Sequence, residues 1–135
     1  MSNTTNEFST LVNTIESSYE FCLAYAAQGR DQENPAGGNS EVRAEISALS
    51  EALINVGQAA VDHIKNNQTA SDASSVATDL LAQDASKASV MVQLVLASNN
   101  ISSQLIDNLN ASSHLRCVLT DLFLIDEATS SNNLA

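Results

Sequence analysis

The stretch VRAEISALSEALINVGQAAVDHI, residues 42–64, decides the fold of this chain. Its apolar side chains recur at alternating spacings of four and three, at positions 42, 46, 49, 53, 56, 60 and 63 or 64. This is the heptad spacing of a helix that buries one seam. No catalytic motif, phosphate-binding loop or cysteine framework of similar strength competes with it. The sequence therefore predicts an all-α protein.

Length and hydropathy predict one soluble domain. The 135 residues are enough to bury a core but few for two domains. We expect a single helical-bundle domain over residues 1–127 and a disordered C-terminal tail over 128–135. The first eight residues are polar and do not resemble a secretory signal, and the longest apolar stretches are far shorter than the roughly 20 residues of a membrane span. These features favour a cytoplasmic location.

The charge balance limits the kinds of partner. Sixteen acidic residues against five basic ones give a formal net charge of -11, which opposes unaided binding to nucleic acids and to anionic membranes. Charged residues make up only 16% of the chain, against about 25% in typical domains. The surface must then consist largely of short polar side chains, which lose little entropy on contact. Such a surface suits protein partners, including further copies of this chain.

The apolar periodicity predicts an antiparallel four-helix bundle. Its helices are expected over about residues 6–26, 40–66, 70–98 and 101–127. The segment 29–39 holds three of the four glycines and the single proline, and it predicts one long loop. A tight turn is expected at Asn99 and Asn100. The alternative is a long helical hairpin in which the third and fourth helices are continuous, a rod of roughly 85 Å at 1.5 Å per residue.

Surplus apolar faces predict a subunit interface. The inner face of the third helix is expected to contain Val76, Ala77, Leu80, Leu81, Ala88, Met91, Leu94 and Val95. The segments 90–96 and 115–125, however, are apolar most of the way round, whereas a helix of a four-helix monomer buries one stripe. The predicted interface residues are Met91, Leu94, Val95, Leu115, Val118, Leu119, Leu122 and Phe123.

The sequence predicts no metal or cofactor. Four-helix bundles often hold di-iron sites built from Glu-x-x-His pairs, and no such pair occurs. Glu16 with Glu20, and Glu41 with Glu45, have helical i,i+4 spacing, but in an acidic chain such pairs are typical of a solvated face. A metal- or cofactor-carrying bundle that uses Glu16, Glu20, Glu45 and His63 is kept as the second alternative.

The nucleophile and base candidates do not form a catalytic pattern. Cys22 and Cys117 lack metal-ligand spacing and are interpreted as two buried free thiols, with a disulfide between the first and last helices as the minor alternative. His63 is interpreted as a hydrogen-bonded core residue, with a ligand or a pH-sensitive interface group as alternatives. His114, between Ser113 and Cys117, is on a helix whose neighbouring positions point in different directions. We therefore predict no catalytic residue and no enzyme activity.

The resulting hypothesis is a non-enzymatic structural or assembly subunit that self-associates, as a homo-oligomer or polymer, through aliphatic faces of its C-terminal helices. The first alternative is an adaptor or small chaperone-like module that binds another protein and uses the 29–39 loop or the C-terminal tail for specificity. No motif in the chain identifies a protein family.

Overall fold

The computed structural model describes residues 4–34, 40–66 and 71–129, and within these ranges the chain is all-helical, with no strand. The predicted fold class is therefore confirmed at the level of an all-α protein. The described helices are α1 (Thr4–Ala27), α2 (Glu41–Asn66), α3 (Asp72–Leu96), α4 (Ser103–Ala111) and α5 (His114–Thr129).

The helices pack in a ring. α2 lies between α1 and α3, α3 packs against α2 and α5, and α1 packs against α4 and more lightly against α5. The short helix α4 lies beside the C-terminal end of α1, where the Asn110 side-chain amide donates to the carbonyl of Cys22 over 3.3 Å. α1, α2 and α3 thus form three sides of the bundle, and α4 and α5 together form the fourth. The arrangement is compatible with a four-helix bundle.

The heptad seam of α2 is buried along its whole length. Each position of the predicted seam is less than a tenth exposed. The seam runs through Val42, Ile46, Leu49, Leu53, Val56, Ala60, His63 and Ile64. Opposite it, α1 contributes Phe8, Val12, Ile15 and Cys22 to the same core. The segment that fixed the fold class is therefore also the centre of the core.

The predicted fourth helix is wrong in one respect, because the structure divides it into two. α4 ends at Ala111, and the next helix begins at His114 after Ser113, whose φ of 64° is left-handed. The Ser112 hydroxyl donates to the carbonyl of Leu109 over 2.6 Å and helps to end α4. Serine competes for backbone hydrogen bonds in this way, so the break is local in origin.

The alternative of one continuous rod is also wrong. α3 ends at Leu96, and six residues connect it to α4. α5 extends through Thr129, so residues 128 and 129 are helical rather than part of a disordered tail. The rest of that tail, 130–135, and residues 35–39 of the 29–39 loop are outside the described residues. Within the described ranges, no helix combines the length and apolar character needed to cross a bilayer.

A charged cluster fastens the loop after α1 to the turn after α3. Arg43 holds the carboxylate of Glu33 with two nitrogens, at 2.8 and 2.9 Å, and also donates to the carbonyls of Leu96 and Ser98 at 2.8 and 2.9 Å. The same carboxylate accepts from the backbone N–H of Ile101 over 2.7 Å. Arg43 therefore satisfies carbonyl groups at the end of α3 that the helix leaves without partners.

A second group of hydrogen bonds joins the same end of the bundle. The Tyr25 hydroxyl donates to the carbonyl of Ile101 over 2.6 Å. The Ser103 hydroxyl donates to the carbonyl of Tyr25 and accepts from the N–H of Arg30, both over 2.7 Å. These polar side chains tie the connection between α3 and α4 to the C-terminal end of α1.

Candidate interaction surface

α3 carries a row of apolar side chains on its outer side. Val76, Leu80, Val90 and Leu94 are each between 50% and 67% exposed. With the exposed Gln83 and Lys87 they form the spacing 4, 3, 4, 3, 4, which places all six on one helix face. We call these six residues the α3 row. Its pattern is that of a packing seam, yet no described part of the chain covers it.

Two further aliphatic side chains flank the α3 row. Ile54 of α2 and Leu124 of α5 are 63% and 68% exposed. A surface groove of about 500 Å³ runs along the line where α2 and α3 meet and is lined by Ile54, Gly57 and Val90 among others. A smaller groove of about 180 Å³ lies between α3 and α5, with mostly apolar walls that include Leu80 and Leu124. The α3 row is thus a ridge between two grooves.

The exposure of the α3 row corrects the predicted inner face of the third helix. Three residues expected inside, Val76, Leu80 and Leu94, lie outside. The buried side of α3 instead consists largely of small and β-branched side chains. These are Ser74, Thr78, Leu81, Ala85, Ala88, Ser89, Val92 and Val95.

Close approach of α2 explains this choice of face. A Cβ built on Gly57 would be 3.5 Å from the Cβ of Ala82, so the two helices nearly touch there. Large side chains on that side of α3 would separate the helices and open voids in the core. The residues of α3 beside α2 are accordingly small, Thr78, Ala85 and Ser89 among them, while Val76, Leu80 and Leu94 lie outside.

The predicted interface residues divide into two groups. Leu94 and Phe123 are exposed, and Met91 is half-buried against the core. The remaining five are less than a tenth exposed and fill the core of the single chain. These are Val95, Leu115, Val118, Leu119 and Leu122. The surplus apolar residues of α5 are thus largely used inside, and the exposed aliphatic surface is centred on α3.

Two carboxyl groups meet beside the α3 row. Asp84 of α3 faces Asp121 of α5, and the Asp121 Oδ2 atom is buried without a hydrogen-bond partner. Desolvation, with a further contribution from the neighbouring Asp84 carboxyl, raises the pKa of Asp121 from 3.8 to about 7. Lys87, one turn from Asp84, makes no ion pair with any described residue.

Removal of this carboxyl is expected to change how stability depends on pH. The raised pKa means that the folded state binds a proton at Asp121 between about pH 4 and 7 that the unfolded state releases. The contribution of this bound proton to the free energy of unfolding is fully present below about pH 4 and is lost as pH rises through about 7. Asp121→Asn should therefore raise the melting temperature relative to wild type more at pH 8 than at pH 5.

Asp107→Asn is the matched control, because Asp107 is exposed on α4. It removes the same charge and should change the melting temperature about equally at the two pH values. Equal behaviour of the two variants would contradict the raised pKa of Asp121.

His63 is a core residue, as interpreted from the sequence. It is 8% exposed, stacks on Phe8 with ring centroids 4.6 Å apart, and has Nε2 3.3 Å from the Thr129 hydroxyl. That hydroxyl donates to the carbonyl of Ile125 over 2.7 Å, so it is placed to accept from the imidazole. Burial lowers the pKa of His63, which favours the neutral ring.

The chemically reactive side chains are dispersed. Cys22 is buried, and desolvation raises its thiol pKa to about 12, with a smaller contribution from Glu45. Cys117 is exposed, so the expectation of two buried thiols is wrong for it, and both cysteines are free. In the described part of the chain, no three His, Cys, Asp or Glu side chains are grouped so as to hold a metal ion. Glu45 instead accepts from the Ser18 hydroxyl over 3.2 Å.

Comparison of the chain with protein-family models, curated proteins and solved structures gave no match. The exposed aliphatic surface centred on α3 is the feature of the described chain that bears on function. Five of its aliphatic residues, Ile54, Val76, Leu80, Val90 and Leu124, were not predicted from the sequence as interface residues. The signal that could have found them is a second 4–3 repeat on α3, running through the α3 row beside the one that is buried.

Proposed function

We propose that this chain is a non-enzymatic structural or assembly subunit that self-associates through an aliphatic surface centred on α3. The observation that carries the proposal is the α3 row, with four exposed aliphatic residues on one face of a 25-residue helix. Several exposed aliphatic side chains aligned on one helix face are typical of interfaces.

The aliphatic side chains of the α3 row are in contact with water in the single chain. Complete burial of one Val or Leu side chain contributes about 1.5–3 kcal/mol, so covering the exposed part of the α3 row on both partners would favour association. The flanking residues Ile54 and Leu124 would add to this area from both grooves. The net charge of -11 on each copy opposes association, so the contact would depend on the apolar surface.

The first test is the mass in solution. We expect light scattering behind a sizing column to give a multiple of 14.2 kDa for the wild-type chain, increasing with concentration. The double variant Leu80→Gln with Leu94→Gln should shift the mass towards 14.2 kDa, because each glutamine replaces a buried aliphatic contact with a polar group. The expected loss of affinity is about 100-fold or more.

Leu23→Gln is the matched control, because Leu23 is 47% exposed on α1, away from α3. It should leave the mass unchanged. A wild-type mass of 14.2 kDa at every concentration would overturn self-association. It would favour the adaptor or small chaperone-like alternative, in which the apolar groove between α3 and α5 receives a segment of another protein.

A further inference from the structure

The α3 row is symmetric about one point of the helix. Val76 and Leu94 are equally distant in sequence from position 85, and so are Leu80 and Val90. Gln83 and Lys87 flank the same position. A row with this property is complementary to itself when a second copy is placed antiparallel, because every aliphatic residue then meets an aliphatic residue.

We propose that a second copy of this chain packs antiparallel against the α3 row, about a two-fold axis between Gln83 and Lys87. This geometry rests on the self-association proposed above and specifies its partner and direction. Val76 of one copy faces Leu94 of the other, and the polar pair occupies the centre. The contact is isologous, so it closes as a dimer.

Charge favours the antiparallel direction over a parallel one. With a helical rise of 1.5 Å and a turn of 3.6 residues, the antiparallel arrangement puts Lys87 of one copy beside Gln83 and Asp84 of the other. Asp84 is a member of the carboxyl pair with Asp121, so the ammonium group would meet the acidic site twice per dimer. Parallel pairing in register would set Lys87 against Lys87, which is repulsive.

The flanking residues fit the same geometry. Leu124 lies beside Leu80 at the groove between α3 and α5. In the antiparallel arrangement, Leu80 of one copy faces Val90 of the other. Met91 of that second copy, the residue after Val90, then lies at the same height along the dimer as Leu124 of the first. The half-buried Met91 and the exposed Leu124 would then cover each other at the rim.

Cysteine crosslinking tests the direction. In a Cys117→Ser background, an equimolar mixture of Val76→Cys and Leu94→Cys chains, one carrying a size tag, is treated with a short thiol crosslinker. We expect the mixed dimer to be the main product, and neither variant to crosslink to itself, because like positions are then roughly 27 Å apart at 1.5 Å per residue. Self-crosslinking of Val76→Cys would overturn the antiparallel geometry.

A charge exchange tests the central pair. Lys87→Glu should weaken the dimer about tenfold, since it places a carboxylate beside Asp84 of the partner. Adding Gln83→Lys should restore it, because position 83 faces position 87 of the other copy. A parallel dimer would not be restored by the double change, since lysine would then meet lysine at position 83 and glutamate would meet glutamate at position 87.

The wild-type mass separates the two proposals. A monomeric wild-type chain overturns self-association together with this geometry. Suppose that the wild-type chain is oligomeric, but the cysteine variants do not crosslink between positions 76 and 94 and the Gln83→Lys change does not restore the Lys87→Glu dimer. This result would overturn the α3 pairing alone. An oligomeric chain that does both supports the antiparallel dimer.

Discussion

Leu122→Ala is expected to lower the free energy of unfolding by about 3 kcal/mol, whereas Leu124→Ala should change it by less than about 0.5 kcal/mol. The two leucines are two positions apart in α5 and have the same intrinsic helix propensity. Leu122 is fully buried, and its truncation leaves a cavity, while Leu124 is 68% exposed. Urea unfolding at one low protein concentration measures the difference.

The comparison also separates core from interface in α5, where the sequence predicted an interface. Leu124→Ala should weaken self-association and leave the stability of the chain unchanged. Leu122→Ala should lower the stability of the chain without removing a contact from the interface. Charged substitutions at Leu119 or Leu122, which would seem natural interface tests from the sequence, would instead unfold the core. An equal loss of stability for the two alanine variants would contradict the assigned orientation of α5.

Arg43→Ala is expected to lower the free energy of unfolding by about 2–3 kcal/mol, because several charge-assisted hydrogen bonds are lost together. The Glu33 side chain is 13% exposed and would be left without its cation, and the carbonyls of Leu96 and Ser98 would lose a donor. Arg43 itself is 34% exposed, which keeps the expected loss below that of a fully buried pair.

The pH dependence makes this prediction specific. Hydrogen bonds from Arg43, with smaller contributions from Ser40 and Ile101, lower the pKa of Glu33 from 4.5 to about 2 against the opposing effect of burial. The stabilisation is therefore present above about pH 4.5 and is lost as pH falls through about 2. The difference between wild type and Arg43→Ala should be full at pH 7 and should shrink as pH falls from about 4.5 towards 2.

Arg116→Ala is the control, because Arg116 is exposed on α5 and pairs with no described residue. It removes the same charge and should change the free energy of unfolding little at pH 7 and at low pH. A constant difference between wild type and Arg43→Ala from pH 7 down to pH 2 would show that the Glu33 carboxylate is not the partner through which Arg43 acts.

The location of these two effects bears on the proposed function. Arg43 and Glu33 fasten the end of the bundle where α3 ends, and Leu122 lies in the core behind α3 and α5. Neither belongs to the α3 row. The chain can therefore keep a stable core while the α3 row stays in water, because the buried residues of α3 and the α3 row are on different faces of the helix.

The sequence identified some features and missed others for physical reasons. The seam of α2 was readable because one face is apolar and the rest is polar. The division between α4 and α5 could not be predicted from the sequence. Ser112 and Ser113 end the helix through backbone geometry and hydrogen bonds, which the spacing of apolar residues does not reveal. The Arg43 cluster was also missed, since two of the groups that Arg43 binds, the carbonyls of Leu96 and Ser98, are more than 50 residues away along the chain.

By itself the sequence determined the helical class, the buried seam of α2 and the acidic, short-side-chain surface, because periodicity and composition are properties of single segments. Only the tertiary structure decided which face of α3 points inward. α3 has apolar residues on two faces, and its own pattern does not distinguish them. Packing against α2 does: at Gly57 and Ala82 the two helices are in close contact, which suits small side chains on that side of α3, and Leu80 and Leu94 then lie in water.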